Sequence, residues 1–234
     1  MAFADPDDVA FEIVRKRVKY LRLTVRPPLG EVRISAPMRT SARRIHEFVT
    51  SQLEWIRRQQ QRIRTRKPPF VLTYTDGEIH RVWGVERRLE IVERDARPSV
   101  ELHDDIIRLT VRPASSVAER KQLLARWYGT LLRESIPPLI AKWEPILEVS
   151  VARFFIRDMK TRWGSCTPRS RRIRLSTDLA RKSPECLEYV VVHEMVHILE
   201  ASHNRRFVRL MDRFLPEWRL RKQELNRRPT PPLG

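Results

Sequence analysis

The chain has 234 residues, 41% hydrophobic and 32% charged, with 47 Lys and Arg against 29 Asp and Glu, a formal net charge of +18. That length and balance suit a folded protein with a sizeable core and exclude a disordered or fibrous chain. Two cysteines, Cys166 and Cys186, without a CxxC spacing, imply no disulfide framework, and no apolar run approaches the roughly 18 residues of a membrane span.

The first residues are acidic and lack a continuous apolar stretch, so no signal peptide is expected, and the cytoplasm is the expected location. The positive balance admits nucleic acid as a partner of a basic surface, through counterion release. Scattered cations serve solubility equally well.

In chain order, residues 11–36 alternate apolar and polar and predict strands, with a turn at Pro27-Pro28-Leu29-Gly30. Over residues 41–64 the period changes. Ile45, Phe48, Val49, Leu53 and Ile56 mark one face of an amphipathic helix, stopped by Pro68-Pro69. Strands return over 70–112, with turns at Trp83-Gly84 and at His103-Asp104-Asp105. A second helix is expected over 115–146, capped by Ser115 or Ser116 and kinked or broken at Pro137-Pro138. Val149–Ile156 and Ile173–Ser176 read as strands flanking a loop. A buried helix should start at Ser183-Pro184 and run to about Leu199, followed by helical segments broken at Pro216. The pattern predicts an α+β protein: a β-rich lobe with one amphipathic helix over 1–113, a second lobe over 114–228, and a disordered tail at 229–234.

The buried helix carries His193-Glu194-Met195-Val196-His197, an HExxH match. Residues four apart on a helix share a face, so two imidazoles can grip one cation. The glutamate beside the first histidine can then take a proton from a water whose pKa zinc lowers to about 7. Catalytic zinc usually has three protein ligands and an open position. His203 can supply the third if the chain turns back after Leu199, and Glu217 or Glu224 are alternatives. Three of the six histidines fall between 193 and 203. Two more places have both a functional and a packing reading. Arg162 and Ser165 can bind substrate oxygens or belong to a tight turn at Trp163-Gly164, and Tyr189 can aid an oxyanion or pack in the core.

Met159-Lys160-Thr161-Arg162-Trp163-Gly164-Ser165-Cys166, Ile173-x-Leu175-Ser176, the run Tyr189–His197 and His203-Asn204-x-x-Phe207 together resemble the YgjP-like metallopeptidase family, which is related to the SprT-like and WLM-like zinc metallopeptidases. The resemblance implies a zincin-like C-terminal lobe, with His193, His197 and His203 as zinc ligands and Glu194 as catalytic base. The sequence departs from the pattern twice. Glu200 stands where metzincins, which share this histidine spacing, have a turn glycine, and Ser176 stands where the family usually has Asn.

The expected function is a zinc-dependent hydrolase of the metallopeptidase type acting on peptides. Its alternatives are a nucleoside triphosphate pyrophosphatase on the same site and a basic nucleic-acid-associated module. Nickel, cobalt or manganese could replace zinc among imidazole ligands.

Overall fold

In the computed structural model, residues 2–3, 9–26, 29–65 and 72–227 are described. The Pro27-Pro28 part of the first turn, the Pro68-Pro69 stop and the 229–234 tail lie outside them. The protein is α+β, with sheets in its N-terminal half and helices after them. It divides into two compact units, Met1–Phe70 and Val71–Gly234.

The first unit holds β1 (Ala2–Phe3), β2 (Phe11–Lys16), β3 (Arg22–Arg26) and β4 (Glu31–Pro37), in the order β1-β2-β4-β3 with β2 and β4 parallel. Alternation along β4 sends Val32, Ile34 and Ala36 inward. They share a core with Ile45 and Val49 of α1 (Ala42–Ser51) and Leu53 and Ile56 of α2 (Leu53–Arg64). The single helix expected over 41–64 is thus two, parted at Gln52. Thr50 and Ser51 each turn their hydroxyls back onto the carbonyls of His46 and Phe48, and the Gln52 amide bonds Val49. Such back-bonding bends a helix and tightens its last turn. The apolar face still runs through the break.

The second unit begins with β5 (Ile79–Val82), β6 (Val85–Glu93), β7 (Ser99–His103) and β8 (Ile106–Val111), in the order β5-β6-β8-β7. Both expected hairpin turns form. Trp83 and Gly84 have φ of 52° and 83°, the left-handed pair of a two-residue turn, and Asp104-Asp105 closes the other. Next comes α3 (Val117–Leu147), whose N-terminus is a full capping box between Ser116 and Glu119. It runs unbroken through Pro137 and Pro138, against expectation. Both prolines are exposed, so the carbonyls they leave unbonded can face water, while Leu132, Ile136 and Ile140 hold the opposite face in the core. Leu89, Ile107 and Leu109 of this sheet join Leu124, Tyr128 and Leu132 of α3 in one core, which is why the chain parts near residue 70, earlier than the 113–114 division read from the sequence.

A third sheet follows: β9 (Arg153–Arg157), β10 (Gly164–Thr167) and β11 (Arg172–Ser176), in the order β10-β11-β9. The stretch expected as a loop therefore contains an edge strand, β10, antiparallel to β11. Three helices complete the unit: α4 (Pro184–Leu199), α5 (Arg205–Phe214) and α6 (Trp218–Arg227).

Candidate metal centre

α4 starts where its sequence predicts. The Ser183 hydroxyl accepts the Cys186 amide and Pro184 fills the first turn, where a missing N–H costs nothing. Leu187, Val191, Val192, Met195 and Val196 bury the helix on nearly all sides. That anchorage holds His193 and His197 one turn apart on its remaining face.

The third imidazole arrives by a turn. α4 ends at Glu200, whose φ of −145° is extended backbone open to any residue, so no glycine is needed there. The Glu200 carboxylate accepts the amide and hydroxyl of Ser202 (3.2 and 3.0 Å). Asn204 then caps α5, accepting the amides of Arg206 and Phe207. Between these two fixed points, His203 is brought back against the helix.

The Nε2 atom of His203 lies 3.0 Å from that of His193 and 3.2 Å from that of His197. One nitrogen from each ring falls within 4.8 Å of the others. His197 Nδ1 donates to the Glu200 carbonyl at 3.0 Å, so its Nε2 presents a lone pair to the other two rings. Burial drives His193 down to about 3, and the neighbouring His197 and His203 push the same way. His197 is also lowered, by burial against the opposing pull of the Glu200 carbonyl. Phe207 forms the floor, with its ring centroid 4.7 to 4.9 Å from all three imidazoles and only 2% of its surface exposed.

Glu194 points into the same space. It is 4% exposed, and its Oε2 is buried without a hydrogen-bond partner. Burial raises its carboxyl to about 8, and the Arg162 guanidinium pulls it back. β10 passes so close that a Cβ on Gly164 would sit 2.6 Å from Glu194 Oε1 and 2.9 Å from its Cγ. Glycine at 164 is therefore what lets strand and carboxylate meet.

A cleft of about 580 Å³ opens over these groups. Arg162, exposed, and Ser165, half-buried, both line it. So does Tyr189, whose ring meets His193 edge-on at 5.7 Å and whose hydroxyl is pushed up to about 12 by burial. Cys166 lines it too, as a thiol raised to about 11 by burial and by the Glu194 charge, but stands outside the histidine cluster. The cations of the lining are Arg162 and Lys222, not the arginine cluster a triphosphate calls for. Glu217 and Glu224 have other partners: Glu217 pairs with Arg221 at 3.1 Å, and Glu224 accepts the Ser183 hydroxyl at 2.9 Å. Ser176 donates its amide to the Trp163 carbonyl at 2.8 Å and caps the short helical turn at 177–181, so a serine is fully used there.

The match to the family model for the YgjP-like metallopeptidase domain spans residues 19–228, nearly the whole chain. The chain belongs to that family. Among curated proteins no match was found.

YgjP-like metallopeptidases imply a bound metal ion, and the residues present fit one. Three imidazole nitrogens converge within 4.8 Å, with the His197 Nε2 lone pair turned toward the other two rings, and a donor set of this kind suits a cation. The unpartnered Glu194 oxygen beside them is costly without a cation or proton donor. Among the described residues, no helix is long and apolar enough to cross a membrane. Reading the sequence alone identified the histidines and Glu194 but not Phe207 and Gly164 as parts of the site. The Phe207 position, four residues past His203, and the glycine of RWGSC were the available signals.

Proposed function

We propose that the chain is a zinc-dependent, zincin-like peptidase in which His193, His197 and His203 hold the metal and Glu194 is the general base. The observation that carries this is the convergence of three imidazole nitrogens within 4.8 Å, at the floor of a cleft and beside a buried carboxylate. When bound, zinc would supply Lewis acidity, polarising a peptide carbonyl and making a water acidic at neutral pH.

Glu194 takes the proton of the attacking water and passes it to the leaving amine. A carboxyl raised toward neutrality by burial suits that double duty, because proton transfer is most efficient when donor and acceptor pKa values are close. Gly164 lets the cleft wall approach Glu194, and the helix α4 keeps the base one residue from the first ligand. Tyr189, held protonated by burial, donates toward the developing oxyanion, and Arg162 and Ser165 bind substrate carbonyls along the rim. Two free cysteines suit a reducing compartment, and we assign the protein to the cytoplasm.

The test is Glu194→Gln, assayed with quenched fluorescent peptides and unfolded protein substrates. Hydrolysis should fall by about 10²–10⁴-fold, the range for removing a general base, with zinc content unchanged. A glutamine variant that cleaves as fast as the wild type would refute the assignment.

A further inference from the structure

The outer face of the paired strands β9 and β11 gathers four arginines around one phenylalanine. Strand alternation buries Ile173 and Leu175 and turns Arg172 and Arg174 of β11 outward. Register puts Arg153 opposite Arg172, and Phe155 opposite Arg174. Arg157, two residues on from Phe155, completes the group, and the guanidinium groups of Arg153, Arg157 and Arg174 sit 5.1, 5.7 and 5.9 Å from the Phe155 ring. Among the described residues none of these four arginines has an ion pair with a carboxylate. Like charges directly opposite each other across strands are destabilising, and the Arg153–Arg172 pair is offset only in part by the contact of Arg153 with the Phe155 ring.

The face continues into the cleft. Arg174 Nη1 donates to Thr167 Oγ1 at 3.2 Å, and its cross-strand neighbour Ser165 lines the cleft. Resting on the peptidase assignment above, we propose that this face is a docking surface for an acidic, extended peptide segment of the substrate, lying beyond the bond to be cut. Alternate side chains of an extended chain repeat every ~6.6 Å, the spacing of Arg153, Phe155 and Arg157 along β9. Arginine's planar fork takes carboxylates two bonds at a time. A nucleic acid fits less well. A single strand needs a free aromatic face for its bases, and the Phe155 ring is already flanked by three guanidinium groups.

The test measures binding, by fluorescence anisotropy, of the full-length protein to a labelled peptide with glutamate at alternate positions. The glutamine analogue and a single-stranded oligonucleotide are run beside it. The variant is Arg153→Gln/Arg157→Gln/Arg172→Gln, whose residues lie outside the cleft, with its fold checked by circular dichroism. The glutamate peptide should bind more tightly than the glutamine peptide and weaken about tenfold in the variant, since each exposed ion pair is worth a few-fold. Cleavage of a short uncharged peptide should be unchanged. If the triple variant fails to fold, Arg172→Gln alone should still weaken binding measurably. Equal binding by wild type and variant, or tighter binding of the oligonucleotide than of the acidic peptide, would overturn the proposal. Intact docking without hydrolysis of any peptide would instead refute the peptidase assignment and leave the surface standing.

Discussion

Replacing Gly164 with alanine tests how closely strand β10 is fitted to the Glu194 carboxylate, the proposed base. The new methyl would lie 2.6 Å from Glu194 Oε1, 2.9 Å from Cγ and 3.0 Å from Cδ, where ordinary contact begins near 3.4 Å. Glu194 or the strand must therefore give by about 0.8 Å, at a carboxylate that is only 4% exposed. Overpacking of this kind costs about 1–3 kcal/mol of stability. A displacement approaching 1 Å at a reacting group can cost on the order of 100-fold in rate. The three imidazoles are untouched, so zinc content should stay at the wild-type level. Denaturant melts, metal analysis and peptide kcat/KM on one preparation separate these effects. An alanine variant with wild-type rate and stability would show that the approach of Gly164 to Glu194 is not what seats the base.

Three further outcomes follow from the same geometry. Phe207→Ala removes the floor under all three imidazoles and should cost about 3–5 kcal/mol in chemical denaturation, with Phe207→Leu milder and zinc affinity reduced in both. Glu200→Gly should weaken zinc binding in a competition titration with a chelator, because the residue's carboxylate fixes the turn that carries His203 and its extended φ gains nothing from glycine. The third concerns pH and the buried His80–Glu78 contact at 2.8 Å. Burial lowers His80 below its ordinary 6.5, although Glu78 opposes this. Burial pushes Glu78 upward, but the amides of Thr73 and Tyr74 and the His80 ring hold it below its ordinary value. Both folded values are depressed, so the stability they contribute is present above the unfolded pKa values and lost as pH falls. Tm should drop as pH is lowered from 6.5, and His80→Gln should flatten the upper part of that fall. A Tm that is flat or rises on acidification through this range would contradict it.

What could be read from the chain and what could not divides along physical lines. Local signals held. Ser183-Pro184 marks the start of α4, one of the two serines expected to cap α3, Ser116, does so, and the two-residue turns at 83–84 and 104–105 fall where expected. Features that depend on contacts far apart in sequence were not legible. β10 is a four-residue edge strand beginning with glycine, with too short a pattern to read, and it exists because β11 is there to pair with it. α3 tolerates Pro137-Pro138 because those positions happen to face water. Which helix a sheet packs against is invisible in linear order, hence the division near residue 70 in place of 113–114. At the site, spacing alone brought out His193, Glu194 and His197. It left the third ligand open between His203 and two glutamates, a choice that rests on the turn built by Glu200 and Asn204. Phe207 and Gly164 matter only through what they touch across the fold.

The central claim is a metal held by three histidines, and metal content by mass spectrometry, on wild type and His203→Ala purified side by side, tests it most directly. The account predicts stoichiometric zinc in the wild type and a large loss in the variant, with the fold retained. Equal zinc in both would remove His203 from the ligand set, and a wild type that takes up no metal even after zinc is added back would contradict the account as a whole.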